Sequence, residues 1–600
     1  GNVQLAAFNN VFNNTATGLW AMQGDSNFGG KGSLVSNAGT VTSFLPGSYQ
    51  HSPDPGTRHQ TFSVVTLYGL EMFNNSGLVT MVDGSPNDRI VITGPTSLAG
   101  NKVYFNGTGN STLAVDASLG GPPRSGFGFG GFGSLNASSA DVLQIGTAGS
   151  KGYATGVTNV VVNDVSPNLP GAYNPVGIPV AESNGAANIV LTSHTVAGVT
   201  ISGPANAASN FEMLQGPIQK GFFSYGLFYL PKNEAGPCQA GFNCWFLAST
   251  PSRAALEFTQ LGTAANDIWS DAAGMWLDRN ADLRDYFFMA GSNPNARGGG
   301  ADLAVKAPIA PPPAGVGPGA WIRAYGDWID NKQNATFSAF GTTLTSSVQY
   351  NQTIAGAQMG YDWAFMRTGW SAVLVGLMGG ADGSTVNFGS GNKVTFQGGN
   401  AGAYATFLNH GFFADGLFLA NWMSMDYTAG GTLFGGGVPN TGVNANVQQY
   451  GGRIDTGYRF QFNPWFFEPQ LTAEVVHTNF GNLPFPTVGT TVQVDDDTSV
   501  RGRLGGRLGT SFVTGGWRVE PSVTGGVWET LSGNNGAVLT SNGFALDLTD
   551  PSNNKTEGEV GGMLNFFQLG TNWSAFVKGD YRFASDYTSG SVKGGVRYQW

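Results

Sequence analysis

The chain has 600 residues, 28 Lys+Arg against 38 Asp+Glu, a formal net charge of -10 and 92 glycines; it is too long for one compact core, and at least two domains are expected. Only 11% of residues are charged and 12% are aromatic, a departure from the roughly 25% charge of an ordinary soluble domain that suits stacked or closed sheets. The acidic balance speaks against nucleic-acid binding, which needs clustered basic groups to displace phosphate counterions, and the most apolar stretch, Phe412 to Met425, carries Asp415 and Asn421, which excludes a helical membrane protein.

From Gly1 to about Gly216 the chain is rich in Asn, Gly, Ser, Thr and Val. Gly1-Asn2-Val3-Gln4 has neither a basic n-region nor an apolar h-region, so any signal peptide is expected to have been removed. Short apolar runs (Arg89 to Ile92, Leu113 to Val115, Asp141 to Ile145, Val160 to Val162, Ile189 to Leu191) recur roughly every 20 to 30 residues with Gly or Asn between them. They read as rungs of a parallel β-helix whose coils turn apolar faces inward and add one by one; a β-sandwich is the alternative. The Gly-Phe stretch Gly126 to Gly133 is expected as a loop beside the stack.

Cys238 and Cys244, flanked by aromatic-rich runs, read as a disulfide closing a hairpin loop in an oxidising compartment; two unpaired thiols are the alternative, and no second pair of zinc type exists. Thr250-Pro251-Ser252-Arg253 then reads as a helix start with Pro in the first turn, and helix-forming sequence continues to about Tyr286. At about 1.5 Å per residue this segment would reach roughly 50 Å, enough to thread a bilayer-spanning pore. Its Ala264, Ala265, Asn266, Asp267, Ser270, Asp271, Ala272, Ala273 and Gly274 are small or polar, as a narrow aqueous lumen requires. Ala307 to Pro318 is a stiff, Pro-rich spacer.

From Gly319 roughly twelve segments of about 10 to 18 residues follow, with short and long joins alternating. Short joins are expected near Ala364-Phe365-Met366, Asn409-His410-Gly411, Asn463-Pro464, Thr514-Gly515 and Gly570-Thr571, and long loops over Asn331 to Thr343, Thr428 to Asn444 and Ser532 to Lys555. Inside the segments the period is two. Arg453, Asp455, Arg459 and Gln461 oppose Ile454, Tyr458, Phe460 and Phe462; Glu468, Gln470, Thr472 and Glu474 oppose Phe467, Leu471, Ala473 and Val475; Arg501, Arg503 and Arg507 oppose Val500, Leu504 and Leu508. Arg323 joins the wet face. A mean hydropathy of -0.08 hides such a lipid face because alternation averages it away. A soluble sandwich would alternate likewise. Trp321, Trp328, Trp363, Trp370, Trp465, Trp517 and Trp573 at segment ends match interfacial girdles, and a last strand Ser591 to Trp600 can close the sheet, which favours a transmembrane barrel.

In order and in local motif the chain resembles the classical autotransporters, the monomeric type V secretion family. Phe73 to Gly77 and Asn87 to Gly94 resemble passenger repeats, and Gly221 to Leu227 with Cys244 to Ser249 resembles the paired strands of a pertactin-like autochaperone module, with Phe222, Tyr225, Leu227, Trp245 and Leu247 as its marks. Trp276 to Arg284 looks like the family's linker-helix motif, carried by Leu277, Arg279, Asp282, Leu283 and Arg284, and Gly319 to Arg323 is similar to its first barrel strand. Val596, Tyr598 and Trp600 look like the C-terminal signal that barrel-assembly machinery reads. Members that cut their own linker do so at paired asparagines; the equivalent site here is near Gly274-Met275. The resemblance implies an all-β chain with an N-terminal right-handed parallel β-helix-like passenger, a linker α-helix and a C-terminal 12-stranded transmembrane antiparallel β-barrel. The expected divisions are 1–216 passenger, 217–250 autochaperone-like hairpin, 251–290 linker helix in the lumen, 291–318 spacer and 319–600 barrel.

Catalytic patterns are sparse. Gly24-Asp25-Ser26-Asn27 is similar to a GDSL esterase block, but Asn27 replaces Leu and no Asp-x-x-His follows in the passenger. A serine-protease triad needs a His base, and this half offers only His51, His59 and His194, the first two flanking a loop. Gly29 to Ser33 misses a phosphate loop because Gly32 stands where Ser or Thr belongs. Asp495-Asp496-Asp497 is expected as a solvated run rather than a Ca²⁺ site, since adjacent strand carboxylates point alternately. No cofactor and no enzyme activity are expected. The implied role is a barrel that translocates and anchors its own passenger at the surface of a Gram-negative cell, the lumen Arg323, Arg453, Asp455, Glu468, Glu474, Arg501 and Arg503 contacting the helix. Outer-membrane lipid (lipopolysaccharide and phospholipid), barrel-assembly machinery, periplasmic chaperones and an unknown surface ligand are the expected partners. A porin-like barrel with a fixed surface domain, or a carrier of an enzymatic passenger lying upstream, are the alternatives.

Overall fold

In the N-terminal half, each turn of the chain lays one short strand in each of three sheets. The computed structural model describes residues 1–43, 64–95, 101–120, 139–167, 170–274, 317–367, 371–430, 442–462, 464–533, 535–550, 555–569 and 571–600; Gly126 to Gly133, His51, His59, the linker motif Leu277 to Arg284, most of the Pro-rich spacer and Trp370 lie outside these. Val11–Asn14, Leu34–Asn37, Met72–Asn75, Lys102–Gly107 and Lys151–Gly156 stack in one sheet, all in parallel. Leu19–Ala21, Thr40–Thr42, Leu78–Thr80, Thr112–Ser118, Thr158–Asp164 and Phe211–Glu212 form the second, and Ser26–Asn27, Val64–Tyr68, Arg89–Ile92, Val142–Ile145 and Ile178–Ser183 the third.

This is a parallel β-helix, and parallel register piles side chains into columns. Val35, Phe73, Phe105 and Ala154 point inward from the first sheet, Val41, Val79, Leu113 and Val160 from the second, Val65, Ile90, Leu143 and Ala181 from the third, all buried. One rung cannot bury its own apolar face, so neighbours share the stabilisation. One column is polar. Asn14 Nδ2 donates to Asn37 Oδ1 at 2.7 Å, Asn37 Nδ2 to Asn75 Oδ1 at 2.7 Å, Asn75 Nδ2 to Ser111 Oγ at 2.8 Å, and the Ser111 and Thr158 hydroxyls share a bond of 2.9 Å. Ile189 to Leu191, expected as a rung, is not one. Ile189–Val196 and Val199–Ala205 form an antiparallel hairpin laid over the outer column Leu34, Met72, Tyr104 and Tyr153, with Val190 75% exposed.

The third sheet ends in reversed strands: Phe223–Leu230 and Asn243–Pro251 form a hairpin, and Asn243–Pro251 pairs antiparallel with Ile178–Ser183. Pro251 closes that strand rather than opening the helix. Ser252 is the N-cap, its hydroxyl accepting from the Ala255 N–H, and helical structure runs over 253–274 with a 3₁₀ turn at Glu257–Gln260.

Twelve long strands then pair in sequence, each antiparallel to the next, and Gly319–Ala339 pairs with the last, Tyr587–Gln599, with Gly319 opposite Gln599 and Asn331 opposite Tyr587. The sheet is closed. Outward-facing Ile322, Met359, Leu377, Phe418, Ile454, Leu471, Leu504 and Val523 are 50 to 69% exposed, while the charged residues that alternate with them, such as Asp327, Asp415, Arg453 and Arg503, turn inward and are buried. A soluble sandwich has the opposite pattern.

Several details differ from expectation. Trp321 does not join the girdle: it turns inward over Gly360, where a Cβ would come within 2.4 Å of the ring, and donates to the Tyr404 hydroxyl at 2.9 Å. The join expected near Ala364 to Met366 falls later, because Thr342–Arg367 remains strand. Asn331 to Thr343 is no loop, since pairing runs without a break to Ala339 and Thr342 around a turn at Phe340-Gly341. The stretch from Ser532 to Lys555 contains Asn535–Ser541 and Phe544–Asp550, which join Leu483–Phe485 and Thr490–Val494 in a separate four-stranded sheet. One face of that sheet is buried through Val492, Leu539, Leu546 and Leu548. Its strands have no more than 7 residues each and lie among Asn, Gly, Ser and Thr, so their alternation is too short to stand out from loop sequence.

Candidate functional site: the barrel lumen and the passenger junction

The helix enters the barrel past an aromatic collar. Phe222, at the foot of the hairpin, meets Phe258 at 5.3 Å and Phe485 at 4.9 Å between ring centroids, and Phe258 meets Tyr427 at 5.0 Å. Beside it Glu257 accepts from Ser390 Oγ at 3.0 Å and Asn392 Nδ2 at 2.7 Å, both in the turn after Ser371–Phe388.

Farther in, opposite walls grip the helix. Gln352 Nε2 donates to the Ala264 carbonyl at 2.8 Å and Gln449 Nε2 to the Ala265 carbonyl at 2.9 Å. Asn266 is held at both ends, Nδ2 donating to Asp497 Oδ2 at 2.8 Å and Oδ1 accepting from Thr478 Oγ1 at 2.9 Å. Trp269 Nε1 donates to the Leu419 carbonyl at 3.1 Å, and its ring fills space that Gly451 leaves free, a Cβ there lying 2.7 Å away. Ser270 Oγ donates to Glu474 Oε1 at 2.9 Å, and Asp271 faces Arg582 at 3.5 Å. Ala264, Ala265, Ala272 and Ala273 are fully buried, and a cavity of about 50 Å³ beside Gly274 is lined by Arg453, Arg501, Arg503 and Lys593.

The wall charges pair with one another, mostly across strands. Arg453 lies between Asp455 at 2.9 Å and Glu474 at 3.1 Å; Arg501 reaches Glu557 at 3.1 Å; Arg503 clamps Glu559 with two bonds of 2.9 and 3.0 Å; Glu468 takes Arg507 at 2.9 Å and Arg459 at 3.5 Å. Arg323 packs over the Trp321 and Phe576 rings at 5.2 and 4.8 Å. A buried charge without a partner costs several kcal/mol, so the pairs that join different strands, Arg453–Glu474, Arg501–Glu557, Arg503–Glu559, Arg507–Glu468 and Arg459–Glu468, favour one register, while Arg453–Asp455 lies within a single strand. Asp497 corrects the solvated-run reading of Asp495 to Asp497: only 1% exposed, it turns inward onto the helix. Gln352, Gln449, Thr478 and Trp269 were not singled out from sequence, although all but Trp269 sit at inward parity on their strands.

At the junction Cys238 and Cys244 are joined by a disulfide, with Cα atoms 5.5 Å apart. Tyr225 is buried, its hydroxyl accepting from the Ala172 N–H and lying within hydrogen-bond reach of the Leu119 and Ala172 carbonyls, to one of which its single proton is donated, which fastens the hairpin across the end of the stack; Trp245 packs on Phe211 at 4.8 Å; Leu247 is buried and Leu227 half-buried. Burial pulls the Lys220 ammonium below its usual range, opposed by Asp164 at 2.5 Å. At the other end of the barrel, Val596, Tyr598 and Trp600 face outward; Tyr598 packs on Trp573 at 4.9 Å and Trp600 on Tyr361 at 5.4 Å.

Lipid-facing apolar residues around a closed ring of strands, with a helix in its lumen and a β-helix above it, define an outer-membrane β-barrel protein of a Gram-negative bacterium. Residues 320–599 match the family described as Autotransporter beta-domain. Over 177 residues, 29% of this chain and 17% of the relative, the sequence is 29% identical to the BrkA autotransporter of Bordetella pertussis (strain Tohama I), so the match spans under a fifth of that protein. Similar solved structures include the BrkA β-domain from Bordetella (21% identity, TM-score 0.38, 48% of this chain and 100% of that one) and the AIDA-I transport unit from Escherichia coli (16%, 0.37, 54% and 98%). The translocator domain of NalP from Neisseria meningitidis is another (14%, 0.34, 47% and 89%). The family match thus covers the C-terminal barrel of the chain, residues 320–599, which is similar to autotransporter β-domains.

Proposed function

We propose that the barrel translocates and then anchors its own β-helical passenger, which serves as a non-enzymatic adhesion or display segment at the cell surface. The continuous path from hairpin through Ser252 into a lumen-bound helix carries this reading, because it ties the solenoid to the pore by one uninterrupted chain. A helix bound to the lumen wall suits an anchor better than a conducting pore. With no nucleotide hydrolysis available beyond the inner membrane, stacking of rungs on the template Phe223–Leu230 and Asn243–Pro251 supplies the free energy for export. Barrel-assembly machinery reading Val596, Tyr598 and Trp600, periplasmic chaperones, and lipopolysaccharide or phospholipid around the barrel are the partners of this scheme. A non-enzymatic passenger is supported by Ser26 and Asp25, which are occupied structurally: Ser26 Oγ is buried and accepts from the Val3 N–H, and Asp25 accepts from the Thr66 N–H at 2.8 Å.

Protease added to intact cells tests the display. Fragments mapping within residues 1–250, with residues 319–600 retained as a heat-modifiable band, are expected; cleavage only after the outer membrane is opened would overturn the reading.

A further inference from the structure

The first barrel hairpin outgrows the membrane. Outward residues of Gly319–Ala339 are apolar or small from Ala320 through Ile322 to Trp328 and turn polar at Asp330, Lys332 and Asn334, yet pairing with Thr342–Arg367 continues to the tip. At that tip stands Phe340 with φ 50. A bulky side chain in the left-handed region is uncommon and disfavoured, and Asn or Gly would serve the turn better. The ring has another use. Its centroid lies 5.1 Å from that of Phe228 and 5.0 Å from that of Phe246, in a cluster that also holds Leu230, Ala248 and both half-cystines.

The socket is one face of the passenger hairpin. Register places Phe228 opposite Phe246 and Leu230 opposite Cys244, while Tyr229 and Trp245 pack together on the face turned to the solenoid. Cys238 comes from the connecting loop, so the bridge ties the loop wall to the strand wall.

We propose that the first barrel hairpin is a docking arm that seats the passenger on the barrel, and that the Cys238–Cys244 bridge shapes its socket, so that seating requires the oxidised passenger. The proposal rests on the display reading and adds to it a partner surface for Phe340. Oxidation before export then does more than close a loop: it prepares the surface that the barrel receives outside.

Three full-length variants test this in whole cells: Phe340→Asn, which keeps a residue suited to the turn while removing the ring; Cys238→Ser with Cys244→Ser; and the combination. The readout is the protease concentration giving half cleavage between residues 231 and 250, with fragments mapped by mass. Phe340→Asn and the cysteine pair are each expected to lower it on the order of tenfold through local opening, and the combination no further than the stronger of the two. Heat-modifiable migration and antibody access to residues 1–216 are followed in parallel. A surface-exposed passenger whose hairpin resists protease equally in the wild type and in the Phe340→Asn variant overturns the arm alone, as do effects that multiply in the combination; a wild-type passenger absent from the surface overturns both readings.

Discussion

Asn75 is shut away from bulk solvent. It is fully buried, donates to Ser111 Oγ and to the Gly77 carbonyl, and accepts from Asn37. Asn75→Ala removes all of these bonds from the interior of the stack, and a buried polar group stripped of its bond costs about 1–3 kcal/mol. A drop of about that size in passenger stability is expected from the urea midpoint, with the slope unchanged; a midpoint within experimental error of wild type would show the ladder to be dispensable. The ladder could not be read from sequence because its members lie 23 and then 38 residues apart, on coils of unequal length. Only the stacked register reveals them as neighbours.

Strands were the most readable elements, and for a physical reason: a wall with water and charge on one side and lipid on the other imposes period two on every residue that crosses it. Ile454 and Leu504 face out and Arg453 and Arg503 face in. Where that wall ends, legibility ended with it: the polar continuation past Asp330, the short strands of the four-stranded outer sheet and the hairpin over residues 189–205 are held by no such constraint. Trp321 misled because a tryptophan near a strand end suits a girdle, and only Gly360 on the neighbouring strand shows why it turns in. The lipid contact itself is testable. Leu504 is 69% exposed in the middle of Asp497–Thr510; in water Leu504→Arg would be harmless, whereas at the midplane of a bilayer it costs about 2–4 kcal/mol. Refolding into lipid vesicles under urea should show that loss, and an unchanged midpoint would mean that this face never meets hydrocarbon.

Across the whole molecule, three parts with different solvents are joined in series. The β-helix is built to grow by stacking, the hairpin Phe223–Leu230 and Asn243–Pro251 ends that stack, and the helix beyond Ser252 is bound by Gln352, Gln449, Asp497 and Glu474 on the lumen wall. The order of these parts was legible along the chain, but no residue of the wall could be matched to a particular partner, since Gln449 and Ala265 are 184 positions apart. The central claim is that the helix closes a pore that otherwise crosses the membrane. Ion conductance through the purified protein in a planar lipid bilayer, compared with a variant lacking residues 253–274, tests it most directly: the intact chain should hold a low, steady conductance and the deletion should open a large one. An intact chain that conducts freely, or a deletion that conducts no better, would contradict the account.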